Sequence, residues 1–357
     1  MDHKVLMDFL CKETAFEDLG NENIVNEFPA FGKAVGDAIN NNNLINFSKE
    51  LESQLPKMDL YKACILSNFI GFVCEKEEDT SAGKGIIELF ARACNCVYEL
   101  FQNLEEDDES SFPSDFSDIY EKNKDWVRAY YGFNFMCVTA MAFLTRDAKL
   151  RELLTTLDLA EKITYLTEEA PESPYLRSIY YVDRMQNACN DLKLLVLYPK
   201  KQQGFMAVAN DLCNCFHLLF LLEEQIAEKF GEKYNMPRFE AEESLIRLAH
   251  GEYPKNCRDK SYGTRFMECN YSCANHAESE KDDILSLIWG EMSPYAIPCI
   301  DGYAVIVLLE TNVSRGFDAQ FLSVPHTALN PYVKIDRELT DSEYRMWIDR
   351  IKEKLEQ

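Results

Sequence analysis

Apolar residues recur at helical spacing from the start of the chain to about residue 190. Between Ile86 and Leu104 they occupy positions i, i+3, i+4 and i+7, the pattern of an amphipathic helix. The same pattern predicts helices over residues 23–39, 44–55, 58–74, 126–143, 148–166 and 174–190. Because no sequence repeat links these stretches, they predict an irregular helical bundle or short solenoid over residues 1–190.

The hydrophobic period changes near Leu192, where a second region begins. Two apolar runs, Leu192 to Tyr198 and Phe205 to Ala209, flank the turn-rich sequence PKKQQG and predict a β-hairpin. Asp211 is expected to cap a helix that stops at Gly231. Further along, the pattern predicts a helix over residues 240–248, strands over 319–324 and 332–335, and a closing helix with the capping box Thr340 and Glu343.

The strongest strand signal of this region lies in residues 285–310, which read LSLIWGEMSPYAIPCIDGYAVIVLLE. Two apolar runs, residues 285–289 and 303–309, flank a connection that carries Gly290, two prolines and the turn pair Asp301-Gly302. Residues 191–357 are therefore predicted to form an α+β region, an antiparallel sheet with helices on one side. The chain as a whole is predicted to be mainly α.

Charge narrows the classes of partner. The chain has 61 acidic and 37 basic residues, a net charge of -24, which repels phosphate backbones and anionic lipid and so favours neither nucleic acid nor a membrane as a partner. Residues 1–110 hold 22 acidic and 9 basic residues, and the segment EEDDESSFPS at 105–114 is predicted to be a solvated loop. This charge fits a docking surface for a basic protein or an ordinary solvated surface.

Cysteine usage favours a reducing compartment. The thirteen cysteines are odd in number, and Cys64, Cys94, Cys137 and Cys213 lie inside apolar helical runs, where a thiol behaves as a small hydrophobe. The N-terminus has no secretory pattern, and no apolar run has the length of a membrane span. We therefore expect a cytoplasmic protein with reduced thiols.

Cys257, Cys269, Cys273 and His276 are the candidate metal ligands. Zinc takes four ligands of these types, but structural zinc sites usually present two closely spaced pairs, and Cys257 stands alone. The spacing favours incidental thiols, and the sequence predicts neither a metal nor another cofactor.

Several motifs occur together in the last 165 or so residues. They are Leu195, Val196, Leu197, Pro199, Gly204 and Phe205 in the hairpin, the sequence Ile288, Trp289, Gly290 and Glu291, the turn Ile297, Pro298, Asp301 and Gly302, and then Arg315, Trp347, Arg350 and Ile351. In these motifs the C-terminal half resembles a family of uncharacterised bacterial proteins. The resemblance implies a bacterial origin and a shared architecture, and it implies no reaction.

The candidate site in this half consists of Trp289, Glu291, Asp301, Arg315 and His326. Paired strands would place Glu291 and Asp301 at opposite ends of one connection, within reach of Arg315 or His326. Two carboxylates with a His or Arg can serve acid and base catalysis in a pocket that shifts a pKa. The structural alternative is a turn at Asp301, a Glu291 bonded to loop amides, and a Trp289 that fills the core.

The sequence contains no His-Glu-x-x-His motif and no Gly-x-Ser-x-Gly motif, and Gly83-Lys84-Gly85 lacks the other residues of a phosphate loop. Our first hypothesis is a non-enzymatic, acidic protein-binding protein of the bacterial cytosol, such as an immunity-type inhibitor of a basic partner. The alternative is a hydrolase-like or small-ligand-binding protein with its site near Glu291 and Asp301. A scaffold whose two halves bind different proteins is a third hypothesis.

Overall fold

The computed structural model describes residues 2–104, 116–170, 172–234, 241–254, 261–264, 269–273, 288–310 and 315–355. The chain divides into two compact units, Met1–Gln186 and Asn187–Gln357, where the sequence placed the boundary at residue 190. The predicted fold class is confirmed: a helical unit precedes an α+β unit. Within the described ranges, no helix combines the length and apolar content needed to cross a membrane.

The described residues of the first unit form helices and connecting loops, with no strand. Its helices are α1 (Asp2–Cys11), α2 (Pro29–Asn40), α3 (Leu44–Gln54), α4 (Leu60–Glu77), α5 (Gly83–Gln102), α6 (Ser117–Lys122), α7 (Lys124–Leu144), α8 (Ala148–Thr155), α9 (Ala160–Glu168) and α10 (Ile179–Gln186). The single helix predicted over residues 148–166 is two helices, because the chain turns at Asp158 with a φ of 52°. The acidic segment 105–114 lies outside the described residues.

The centre of this unit is the pair α4 and α7. Gly71 packs so closely on Thr139 that a Cβ at Gly71 would lie 3.4 Å from the Thr139 Cα, and further along the Cys74 thiol lies 3.6 Å from the Ala142 carbonyl oxygen. Contacts therefore advance along both helices in the same direction, and the two helices run parallel. Such close approach of two backbones needs a small residue at the contact, which Gly71 provides.

The second unit contains a mixed sheet. Its elements are β1 (Leu192–Tyr198), β2 (Gln203–Asn210), α11 (Cys215–Tyr234), α12 (Glu243–Ala249), β3 (Ser261–Thr264), β4 (Cys269–Cys273), β5 (Cys299–Ile300), β6 (Tyr303–Glu310), β7 (Arg315–Asp318), β8 (Tyr332–Glu338) and α13 (Asp341–Leu355). The main sheet has the strand order β4-β6-β1-β2-β8, with β5 paired to β6, and β3 pairs with β7 separately.

The predicted hairpin is confirmed as β1 and β2, which pair antiparallel with Leu192 opposite Ala209. The sheet is mostly antiparallel, as expected, but β1 and β6 run parallel. A parallel neighbour requires a long crossover, which the chain between β2 and β6 supplies.

Several local predictions are wrong. The helix that was predicted to stop at Gly231 continues to Tyr234. The stretch predicted as a strand over residues 319–324 contains a 3-10 helix, Ala319–Leu322. The predicted strand at 285–289 is not a strand at Ile288 and Trp289, and residues 285–287 lie outside the described part. Asp211 does not cap α11; the Asn214 Oδ1 atom caps it by accepting the His217 N–H at 2.9 Å.

Helices cover both faces of the sheet, where the sequence predicted one face. Leu194 and Val196 of β1 pack into the core that includes α11 and α12, whereas Leu195 and Leu197 pack with α13 around Trp347. The reason is visible in the strands, since β1 and β6 are apolar at successive positions and can be buried only from both sides.

The predicted capping box begins α13. The Thr340 N–H donates to Glu343 Oε2 at 2.8 Å, and the Glu343 N–H donates to Thr340 Oγ1 at 3.3 Å. The hydrogen bond from Arg337, together with those from Thr340, lowers the pKa of Glu343 to about 2. This arrangement fixes the start of α13 on its face of the sheet.

Candidate binding surfaces

The loop that carries Trp289 and Glu291 caps α11. The N–H groups of Cys215 and Phe216 donate to the carbonyl oxygens of Met292 and Gly290, each at 2.8 Å. The first N–H groups of a helix have no partner within the helix itself, so this loop satisfies two of them.

Gly290 is required at this contact. A Cβ at this position would lie 2.3 Å from ring atoms of Phe216, so the loop can approach α11 only with glycine there. Ile288 is buried in the same core, whereas Trp289 is 50% exposed and Glu291 is exposed. Trp289 therefore does not fill the core, and the sequence Ile-Trp-Gly-Glu acts locally as a structural motif.

Asp301 begins the turn into β6 and binds Arg350 of α13. Arg350 Nε donates to Asp301 Oδ2 at 3.0 Å, and a second guanidinium nitrogen lies 3.4 Å from Oδ1. The hydrogen bond from Arg350 lowers the pKa of Asp301. A general acid needs the opposite shift, so this carboxylate is held ionised and suits binding better than proton transfer.

A cavity of about 930 Å³ lies beside this ion pair and is lined by Asp301, Trp347, Arg350 and other residues of α13. The Trp347 ring meets the Tyr303 ring edge-on at a centroid distance of 5.7 Å. The tryptophan that lines a cavity next to Asp301 is thus Trp347. Trp289, which the sequence analysis grouped with Asp301 in the candidate site, is not among the lining residues.

The other predicted site residues are placed separately. His326 is half-buried, and its Nδ1 accepts the Ala328 N–H at 3.0 Å within one loop. Arg315 begins β7, but its side chain lies outside the described part. Asp301 contacts Arg350 of α13. The described side chains of Trp289, Glu291 and His326 are not brought to this ion pair.

The candidate metal ligands fall mostly outside the description. Cys269 and Cys273 occupy the two ends of β4, while Cys257, His276 and all four side chains lie outside the described residues. Across the side chains that are described, no group of three or more His, Cys, Asp or Glu is arranged to hold a metal ion.

A second surface lies in the helical unit. Residues 13–27, here named the acidic strap, connect α1 to α2 and contain five acidic residues, with no basic residue between Lys12 and Lys33. Glu13 pairs with Lys124 at 2.9 Å and with Arg128 at 3.4 Å. The remaining four, Glu17, Asp18, Glu22 and Glu27, are exposed and form no ion pair with the described residues.

Buried polar residues hold the start of the strap. Asp59 caps α4 by accepting the Lys62 N–H at 3.2 Å, and it also accepts the Thr14 N–H at 3.1 Å and the Thr14 hydroxyl at 2.6 Å. The Lys62 ammonium donates to the carbonyl oxygens of Phe9 and Lys12. Burial lowers the pKa of Lys62.

Arg128 completes this network, here named the polar clasp (Asp59, Lys62, Tyr120 and Arg128). One guanidinium nitrogen of Arg128 donates to the Thr14 carbonyl oxygen and to the Tyr120 hydroxyl, each at 3.0 Å. The Tyr120 hydroxyl donates to the same Thr14 carbonyl at 2.5 Å. These hydrogen bonds fix the backbone of the acidic strap at Thr14.

The strap is fixed again at Gly20. The Gly20 N–H donates to the Tyr61 hydroxyl at 2.9 Å, and the residue adopts a φ of +88°, which favours glycine. Because the strap is anchored at two points, its exposed carboxylates are presented by an ordered backbone.

Our sequence reasoning missed the polar clasp. Lys62 and Arg128 stand inside apolar helical runs, YKACIL and WVRAYYGF, and a charged residue within such a run signals a buried partner. The partner itself is not readable, because Thr14 and Arg128 are 114 residues apart in the chain.

Comparison of the chain with protein-family models, with curated proteins and with solved structures finds no significant match. The resemblance to a bacterial family therefore stays a prediction.

Proposed function

We propose that this is a non-enzymatic protein of the bacterial cytosol that binds a basic protein partner through the acidic strap, as an immunity-type inhibitor would. One observation carries the proposal: Glu17, Asp18, Glu22 and Glu27 are exposed and without ion pairs among the described residues, on a segment anchored at Thr14 and Gly20. Carboxylates that no described residue of the chain neutralises are available to cations of another molecule.

The distribution of charge supports the same surface. Residues 1–186 hold 34 acidic and 18 basic residues, a net charge of -16 out of the chain's -24. A field of this sign accelerates encounter with a basic partner and disfavours acidic ones. Association through this unit should therefore be sensitive to salt.

Anchoring matters for affinity. A flexible acidic segment would lose conformational entropy on binding, which weakens the complex, whereas a segment already fixed by the polar clasp loses less. Burying the charges of Asp59, Lys62 and Arg128 costs desolvation energy. In this proposal those charges serve to hold the strap in place.

Inhibition follows if the strap lies over the cationic residues that the partner uses. A basic protein that acts on polyanions exposes lysine and arginine at its own site, and carboxylates docked there would cover them.

The experiment is capture of partners from an extract of the source organism by the full-length immobilised protein, at about 50 mM and about 500 mM salt. We expect one basic protein to be retained in stoichiometric amount at low salt and released at high salt. The strap variant (Glu17→Gln, Asp18→Asn, Glu22→Gln, Glu27→Gln) should not retain this basic protein.

The matched control neutralises four exposed glutamates elsewhere in the same unit, Glu152, Glu161, Glu168 and Glu169, each to Gln. This control changes net charge by the same amount and should retain the partner. Lack of any stoichiometric partner at low salt, or equal loss in both variants, would count against the strap as the contact surface.

The cavity beside Asp301 and Arg350 favours the alternative, a small-ligand-binding protein. An ionised carboxylate next to a guanidinium could orient a polar ligand against the Trp347 ring. A thermal-shift screen of small metabolites, repeated with Arg350→Gln, tests it. A ligand that stabilises the wild type and not the variant would favour this alternative.

A further inference from the structure

A groove runs between the parallel helices α4 and α7, and we name it the seam. One row of residues from each helix lines it. On α4 the residues Tyr61, Asn68 and Phe72 follow one another at spacings of seven and four, and on α7 Tyr131 and Val138 are seven apart. Residues at such spacings share one face of a helix, so each helix presents a continuous row along the seam.

Both rows face the same side. The Gly20 N–H donates to the Tyr61 hydroxyl of α4 at 2.9 Å, and a Cβ on Gly20 would lie 3.9 Å from ring atoms of Tyr131 of α7. One strap residue therefore contacts the beginning of both rows, and the acidic strap covers this end of the seam.

Further along, the seam is open. Phe72 is 55% exposed and Val138 is 46% exposed, Asn68 is exposed, and Phe135 is half-buried. We name these four residues the open seam. Phe72 and Val138 are large apolar side chains exposed on neighbouring helices, and apolar side chains exposed next to one another mark contact sites for other molecules.

Neither α4 nor α7 carries a basic residue along the open seam. No basic residue occurs in residues 63–75 or 129–145. Glu22 of the strap stands beyond one end, and Glu75, Glu77 and Glu78 stand at the other. Arg146 pairs with Glu75 and Lys76 with Glu77, whereas Glu78 forms no ion pair with the described residues.

We propose that the open seam docks the apolar face of a basic amphipathic helix of the protein partner. This inference rests on the proposed function for the partner's charge and adds the apolar contact that the strap lacks. Phe72 and Val138 would form the desolvated centre, and the carboxylates at both ends would form the polar rim.

A helix fits the geometry better than an extended segment. The seam between parallel helices is a groove along their axes, and a third helix can lie in it with apolar residues at i, i+3, i+4 and i+7. Such an apolar stripe spans about two turns, roughly 11 Å. Asn68 and Phe72 are four positions apart, about 6 Å along α4, so the open seam with Val138 opposite contacts about one turn of such a helix.

The test uses a fluorescein-labelled peptide of leucine and lysine, designed as an amphipathic helix, titrated with the full chain at low salt and followed by anisotropy. A scrambled peptide of equal composition separates helical docking from charge attraction alone. We expect the wild type to bind the amphipathic peptide at least about tenfold more tightly than the scrambled one.

The seam variant Phe72→Ser, Val138→Ser should weaken amphipathic-peptide binding at least about tenfold. Val5→Ser on α1 is the matched control, since Val5 is exposed to the same 46% as Val138, and it should bind as the wild type does. Circular dichroism melts verify that the variants fold, which the exposure of both side chains favours.

The outcomes separate this inference from the proposed function. If the seam variant binds within about twofold of the wild type, or if the wild type does not distinguish the two peptides, the open seam is not a helix site. In that case the proposed function would still be supported if the strap variant fails to retain the captured partner. If the seam variant loses the peptide and the strap variant keeps its partner, the seam stands and the proposed strap contact fails.

Discussion

Arg128 Nε lies 3.2 Å from Asp59 Oδ2, and neither side chain is more than 5% exposed. The two atoms are not aligned as a hydrogen bond, and Arg128 Nε has no other hydrogen-bond partner. The pair therefore depends on charge attraction in a buried environment. It joins α4 to α7 beneath the start of the acidic strap.

Removing one member of this pair should destabilise the helical unit strongly. Asp59→Asn removes the buried counter-charge of Arg128 and leaves the guanidinium with exposed carboxylates such as Glu13. We expect a loss of about 3 to 5 kcal/mol in the free energy of unfolding measured in urea. Arg92→Gln is the control, because the Arg92–Asp125 pair is about 40% exposed and should contribute under about 1 kcal/mol. Equal losses in the two variants would contradict the role of the clasp.

Gly290→Ala should weaken the cap of α11. Its Cβ would overlap the Phe216 ring, so either the loop or the ring must move, at a cost of about 1 to 3 kcal/mol. Gly231→Ala is the control within the same helix, where nothing lies within 4 Å of the added Cβ. There we expect a gain of about 0.5 to 1 kcal/mol from helix propensity. Thermal unfolding of both variants gives the comparison.

The pair His250–Glu224 should make stability depend on pH. The hydrogen bond that His250 Nε2 donates to Glu224 Oε2, at 2.7 Å, raises the pKa of His250 above its ordinary value of 6.5. Protonated His250 thus stabilises the folded chain fully below that ordinary value, and the contribution disappears as pH rises through the raised pKa.

His250→Gln removes this dependence. The difference in unfolding free energy between wild type and variant should be largest at acidic pH and fall towards alkaline pH. Because the His250 side chain is 44% exposed, screening keeps the difference under about 1 kcal/mol. A difference that stays constant across this pH range would show that the ion pair makes no contribution.

Thiol reactivity should follow burial. Burial raises the pKa of Cys94 to about 12 and of Cys96 to about 11, so both stay protonated at neutral pH and react slowly. Cys11 and Cys299 are exposed. When a disulfide reagent is added to the native protein, the variant Cys11→Ser, Cys299→Ser should show two fewer fast-reacting thiols than the wild type. An unchanged fast phase in that variant would mean that these thiols are shielded.

Local periodicity was enough to predict the longer helices and the first hairpin. The row of apolar residues from Ile86 to Phe101 lies on the buried face of α5, and the apolar run Leu192–Tyr198 before a turn-rich sequence identified β1. The capping box was also predictable from the sequence, because Thr340 and Glu343 are three positions apart. Each of these features depends on residues close together in the chain.

Pairing between distant segments was not predictable. β1 and β6 are apolar on both faces, and such strands carry no local sign of their neighbour or its direction. For this reason the sequence led to an antiparallel hairpin around residues 285–310, where the structure pairs β6 with β1 in parallel.

The candidate site was predicted only in part. The sequence identified Asp301 as important, but its partner Arg350 is 49 residues away, and the lowered pKa of Asp301 follows from that contact. Trp289 was expected in the core or in a pocket and is half-exposed, since its neighbours Ile288 and Gly290 face α11. The open seam emerged only from the parallel packing of α4 and α7.

The most direct test of the central claim is the affinity of the full chain for its captured basic partner across a series of salt concentrations. For the wild type we expect the Kd to rise at least about tenfold between about 50 and about 500 mM salt. The strap variant should bind more weakly at low salt and show a flatter dependence. Equal affinity and equal salt dependence for the wild type and the strap variant would contradict the account.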